Sequence, residues 1–131
     1  MLVERLVLVA VGGALGSAAR YLVALGAARV IGAEFPYGTL IVNLAGAFVI
    51  GLVQELALDS FVMPEPARLF LATGLMGGLT TYSAFSYETV RLAQTGAWTR
   101  ATINVGVTTG AGLALCLLGM VVARYLLRLR A

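Results

Sequence analysis

Apolar residues in this chain fall into four long blocks separated by short polar punctuation. The blocks run from Leu2 to Val30, from Thr39 to about Leu58, from Arg68 to about Gln94, and from Ala101 to Leu127. At about 1.5 Å per residue, each can cross a hydrocarbon layer of about 30 Å. The first interruption, Gly32 to Gly38, carries Glu34, Pro36 and Tyr37. The second, Asp59 to Pro66, holds Pro64 and Pro66, which hold the next helix back to about Ala67. The third contains Gly96 and Trp98, an indole suited to a membrane interface. The pattern predicts an all-α integral membrane protein. It has four transmembrane helices in one domain over residues 1–131, with both termini on the same side. No repeat of fixed period is present.

Polar and small residues inside the blocks mark faces that meet protein or water. Gly12 and Gly16 form a small-xxx-small pair that lets another helix approach closely. A cleaved leader is the alternative for this block, but Glu4 spoils a basic start and the apolar run continues beyond any cleavage point. Arg20 lies about 22 Å along the helix from Arg5, and an arginine inside a span costs ~2.5 kcal/mol or more at the centre. It either snorkels to headgroups beside Tyr21 or places a positive charge in a vestibule that attracts anions. In the second block Asn43, Ala47, Ile50 and Gln54 share a stripe, with Thr39 one turn before Asn43. That amide is either helix-to-helix glue or part of a polar track. The fourth block repeats the theme with Asn104, Thr108 and Gly112 at intervals of four, and with Gly106 and Gly110 as a second close-packing pair.

The third block is unlike the others. Its centre reads ATGLMGGLTTYSAFSYE from Ala72 to Glu88, with Gly74, Gly77 and Gly78, then Thr80 and Thr81, then aromatics interleaved with hydroxyls. Glycine and β-branched residues are poor helix formers, so the span is predicted to break mid-way. A break in lipid leaves amides and carbonyls unpaired at several kcal/mol each unless protein, water or an ion satisfies them.

Composition narrows the function classes. The 131 residues are 60% hydrophobic and only 11% charged, against about a quarter charged in soluble domains. All nine basic residues are Arg, and the net charge of +3 sits at block ends, which is no nucleic-acid footprint. With no His and one Cys, Cys116, there is no ligand set for zinc or a redox centre and no disulfide framework. Arg5, Arg68, Arg124, Arg128 and Arg130 fall on the side of the termini. Arg29, Arg91 and Arg100 fall on the other, with Arg20 near them. So weak a bias permits insertion in both orientations, and four short spans enclose little interior. Both points favour an antiparallel, dual-topology homodimer related by a two-fold axis.

The interrupted segment has two chemistries. Carbonyls freed between Gly74 and Thr80 suit a hard cation, as in broken transporter helices. A half-helix restarting near Thr80 or Thr81 offers free amides and a dipole end to an anion. Tyr82 and Phe85 share a face, and their ring edges carry partial positive charge that can meet a small anion. Ser83 and Ser86 add hydroxyls. The plainer reading is that the glycines only let helices cross closely, with the aromatics as packing.

The runs GGLTTYSAF, GGALGSAARY and GTLIVNLAGAFVIG stand in order at Gly77, Gly12 and Gly38, and together they resemble the fluoride channels of the CrcB/Fluc family over nearly the whole chain. The resemblance implies a fluoride-specific channel that passively exports fluoride from the cytoplasm through the bacterial inner membrane. It also implies an antiparallel homodimer with two pores, and a structural, non-transported Na⁺ at the dimer centre held by the carbonyls of Gly77 and Thr80. Asn43, Tyr82 and Phe85 match the family's pore-lining positions, Thr39 and Ser83 its polar lining, and Arg20 its arginine near the pore mouth. Three positions depart from the family's common residues: Tyr82 in place of Phe, Ala84 in place of a hydroxyl residue, and Asn104 in place of Tyr. Two rival classes remain: a non-transporting membrane subunit whose glycines only mediate packing, and a small four-helix proton-coupled multidrug or cation exporter. The exporter needs a carboxylate deep in a span, whereas Glu4, Glu55 and Glu88 lie near block ends.

Overall fold

A computed structural model of the chain describes residues 1–59 and 61–130, so residue 60 of the second interruption and the last residue lie outside the description. Within it every regular element is helical. Helix α1 spans Leu2–Val30, the predicted first block, and gives way at Gly32, whose φ of +121° a side chain would strain. Helix α2 spans Tyr37–Leu56, two residues earlier at each end than expected. Its start follows Pro36, which lacks the amide that a helix N-terminus leaves unpaired. Helix α6 spans Trp98–Arg128, entered from Gly96 at φ +82°. These three helices, of 29, 20 and 31 residues, are each long and apolar enough to cross a membrane.

The interrupted segment departs from expectation in detail. It begins earlier, as a short α3 at Glu65–Arg68, because Pro66 sits in the first turn where its missing amide costs nothing. It continues as a π-helical stretch, Leu69–Met76, and a one-turn α4, Gly77–Leu79. The chain is therefore still wound from Gly74 to Leu79, where the glycines predicted carbonyls free of the ladder. The Gly74 carbonyl accepts the Gly77 amide. The break is confined to Thr80 and Thr81, both with extended backbone, and α5 restarts at Tyr82 and runs to Gln94.

Backbone contact with α1 explains why the glycines stay helical. A methyl on Gly12 would stand 2.6 Å from the Phe70 carbonyl oxygen, and one on Gly74 would stand 3.0 Å from the Gly12 Cα. Gly78 likewise packs on Gly13 and Ser17, and Gly16 on Leu75 and Leu79. Without a hydrophobic force between helices in lipid, such backbone approach supplies the packing. The close-crossing reading therefore holds for Gly74 and Gly78, while Gly77, the third glycine of this segment, faces open space. On the other side α2 packs on α6 through Gly51 against Cys116 and Gly119 against Phe48. The expected pair Gly106 and Gly110 meets nothing within 4 Å, because both lie off the buried face of α6 that carries Ala101, Asn104, Gly119 and Ala123.

Ion pairs mark the two ends of the bundle. Arg5 to Glu65 at 3.2 Å and Arg124 to Glu55 at 2.6 Å tie one end, and Arg100 to Glu34 at 3.1 Å ties the other. Between them the apolar faces point outward: only 6% of the most hydrophobic window of α6 and 11% of that of α1 is buried. Apolar exposure on that scale belongs against lipid, so the chain is a multi-pass membrane protein.

Candidate functional site: the helix interruption and its cavity

The interruption is built by side chains that take over the backbone's hydrogen bonds. Thr80 turns its hydroxyl back onto the Met76 carbonyl at 2.8 Å, alongside its own amide at 3.0 Å. Such back-bonding competes with the ladder and bends helices. The next amide, Thr81 N–H, would continue the ladder to the Gly77 carbonyl; instead it donates to Asn43 Oδ1 at 2.7 Å. Asn43 Nδ2 donates in return to the Thr81 carbonyl at 3.1 Å. The Ala84 amide, which would reach the Thr80 carbonyl, donates to Thr81 Oγ1 at 3.1 Å. Thr81 is thereby the N-cap of α5, a role that suits threonine. The Thr81 and Ala84 amides, which would serve the Gly77 and Thr80 carbonyls, are thus both diverted to side chains.

Arg20 is part of this construction. Its Nε donates to the Gly78 carbonyl at 3.1 Å, and the side chain is half-buried. Of the two readings of Arg20, the geometry describes neither alone: the guanidinium braces the wound turn just before the break. Its charge compensates a carbonyl in surroundings poor in water, where a charge-assisted bond is strong.

Asn43, Thr80, Tyr82 and Phe85 meet across one cavity of about 470 Å³, with Gly77 on its rim. The predicted stripe of α2 forms one wall through Asn43, Ala47 and Ile50, while Gln54 falls outside it. Thr108 and Gly112 of α6 supply the facing wall. Among the described residues no charged side chain lines this cavity. The rings of Tyr82 and Phe85 lie 5.7 Å apart at 47°, so each offers an edge as well as a face. Tyr82 is 81% exposed in the single chain, so its ring projects outward from the helix bundle.

Three predicted residues lie off the cavity. Ser83 sits beside the N-cap, its hydroxyl 3.2 Å from Thr81 Oγ1. Arg20 is on the α1 side of the break. Thr39 lines a smaller hollow of about 170 Å³ and donates to Glu88 Oε1 at 2.8 Å. Glu88 is drawn into the protein there, and its other oxygen is buried with no hydrogen-bond partner among the described residues.

Two residues that the sequence marked without giving them a site role complete the site. Thr81 is 8% exposed and carries both the N-cap and the Asn43 pairing. Its signal was available, since a threonine followed by a helical run is an N-cap pattern. Asn104 is 2% exposed and donates to Thr89 Oγ1 at 2.8 Å, a pairing between helices that no local pattern reveals.

Comparison with known proteins adds an independent line. Residues 7–120 match the family described as "CrcB-like protein, Camphor Resistance (CrcB)". A Clostridium perfringens protein (strain 13 / Type A) is 44% identical over 119 residues, covering 91% of this chain and 93% of its own. A Geobacter metallireducens protein is 46% identical over 121 residues, covering 92% of this chain and 98% of its own. A Sorangium cellulosum protein is 44% identical over 124 residues, covering 95% and 98%. All three bear the name "Fluoride-specific ion channel FluC". The match takes in the α1 glycines, the Asn43 stripe and the interrupted segment in one continuous stretch, and the chain belongs to the CrcB family.

Proposed function

We propose that the chain is a fluoride-specific ion channel of the bacterial inner membrane, lowering cytoplasmic fluoride by passive export. The observation that carries this reading is the cavity at the break: amide, hydroxyl and ring-edge donors with no charged group among them. Fluoride is small and strongly hydrated, so a selective path must replace its water with several donors. A fixed cation at the constriction would hold the anion too tightly to release it. The second N–H of Asn43 and the edges of Tyr82 and Phe85 offer that partial replacement, and Thr39 and Ser83 extend polar lining beyond the cavity. HF enters cells as a neutral weak acid and dissociates inside. An inside-negative potential then contributes ~2.3 kcal/mol per 100 mV towards expelling each anion. No chemical step is required, and the whole of residues 1–131 acts as one channel domain.

In this reading two copies assemble antiparallel, giving two pores. Its support is that the cavity is an open groove on the single chain, with Tyr82 and Gly77 both facing outward. A structural sodium on the dimer axis fits the donor set. The carbonyls of Gly77 and Thr80 have lost their ladder donors, and hard cations favour such oxygens. Two copies would supply two carbonyls each. Bound there, the ion would neutralise carbonyl dipoles and hold the two breaks together without itself moving. The exporter reading has less support: Glu55 is committed to Arg124, and Glu88 lies outside the cavity against Thr39.

Fluoride efflux from liposomes reconstituted with the purified protein tests the proposal. Efflux that is fast and fluoride-specific is the expected result. Proton-driven uptake of organic cations with no fluoride efflux would replace the channel by the exporter.

A further inference from the structure

Helix α5 carries Phe85 but has a weak hold on the rest of the chain. It has no buried residue, and polar and aromatic residues dominate it. Among the described residues its side chains are tied elsewhere by only two hydrogen bonds beyond the N-cap: Thr39 to Glu88 from α2, and Asn104 to Thr89 from α6. The second belongs to a chain of donors with both ends at the cavity. Thr108, in the cavity wall, donates to Asn104 Oδ1 at 3.5 Å; Asn104 Nδ2 donates to Thr89 Oγ1 at 2.8 Å; Thr89 donates to the Phe85 carbonyl at 2.7 Å. Asn104 is 2% exposed, so this amide has exchanged all its water for these partners.

Resting on the fluoride-channel reading, we propose that Asn104 is a positioning residue. Through Thr89 it sets the distance between α5 and α6, and with it the place of the Phe85 ring across from Thr108. A lone buried amide in lipid is costly unless paired, and each bond here is one that the others orient.

The test compares Asn104→Leu, Thr89→Val and their double variant with Thr89→Ser, in liposomes preloaded with fluoride or with chloride. Oligomeric state and thermal stability are recorded alongside. Both single variants are expected to slow fluoride efflux about five-fold or more and to narrow the fluoride-to-chloride ratio. The double variant should be no worse than the singles, and Thr89→Ser, which keeps the hydroxyl, should match wild type. A general loss of packing would lower stability without changing the anion ratio. Where Asn104→Leu does not fold, Thr89→Val carries the comparison, being near in shape to threonine. If fluoride efflux and anion ratio in Thr89→Val equal wild type, or Thr89→Ser is as impaired as Thr89→Val, the positioning role is wrong and the channel stands. Wild-type liposomes that release no fluoride overturn the channel reading, and this inference falls with it.

Discussion

Asn43 and Thr81, 38 residues apart, pair as a strand would: one amide side chain satisfies both the N–H and the C=O of a single backbone residue. This pairing creates the interruption, since the Thr81 amide cannot serve Asn43 and the Gly77 carbonyl at once. Asn43→Ala leaves a buried donor and acceptor unsatisfied, at about 1–3 kcal/mol for such a group. Fluoride efflux should fall at least ten-fold and thermal stability should drop with it. Asn43→Asp keeps the acceptor and loses the donor, and is expected to fall between. Efflux in Asn43→Ala equal to wild type would remove Asn43 from both pore and break.

Arg20 separates charge from geometry. If its work is to brace the Gly78 carbonyl, a neutral donor should retain part of it. Arg20→Gln is therefore expected to conduct better and melt higher than Arg20→Met. A vestibule charge gives another result: Gln and Met would be equally slow, and wild-type efflux would show a steep dependence on ionic strength that both lose. Efflux measured across a series of background salt concentrations distinguishes the two.

Glycines divide by what a methyl would meet. Gly16→Ala and Gly78→Ala drive a carbon into the backbone of the facing helix, and neither neighbour is a flexible side-chain tip. Both variants are expected to yield little folded protein in detergent. Gly26 has nothing within 4 Å, so Gly26→Ala should fold and gain up to about 1 kcal/mol from helix propensity. Equal thermal melts for the three would show that the α1 crossing is not set by these contacts.

The same division shows what was legible in the sequence. Block lengths located α1, α2 and α6 to within a few residues, because apolar runs bounded by Gly32, Pro36 and Gly96 carry their own ends. The stripe of Asn43, Ala47 and Ile50 was readable from helical period, and it does face the cavity. The position of the break was not. Low propensity at Gly74, Gly77 and Gly78 suggested unwinding, whereas α1 backbone packed on two of them keeps them wound, and Asn43 moves the break to Thr80 and Thr81. Glu88 looked like an end-of-span carboxylate, and only the fold brings Thr39 to it. Contacts of that kind belong to tertiary structure, which local propensity does not see.

Tyr82 and Phe85 differ in what they can spare. Tyr82→Phe removes a hydroxyl from a ring that projects outward and keeps its edge, so fluoride efflux should stay within about two-fold of wild type. Phe85→Ile removes the aromatic edge facing the cavity, and no aliphatic group carries the same partial charge. Its efflux should fall by ten-fold or more with the protein still folded. Matching efflux from Phe85→Ile and wild type would take the ring out of the pathway.

The proposed sodium is separable from the pore, because its site would be backbone and its effect would be on assembly. Gly77 and Thr80 offer carbonyls whose ladder amides have gone to Asn43 and Thr81. A cation bound to the folded dimer and not to the unfolded chain stabilises it by RT ln(1 + [L]/Kd), about 2.7 kcal/mol at a hundred times Kd. Thermal melts in sodium should therefore lie several degrees above melts in an organic cation too large for the site, at matched ionic strength. Asn43→Ala, which removes the side chain that holds the backbone open at Thr81, should lose most of that difference. Identical melts in the two salts for wild type would leave the carbonyls to some other donor, such as water or the second copy's backbone.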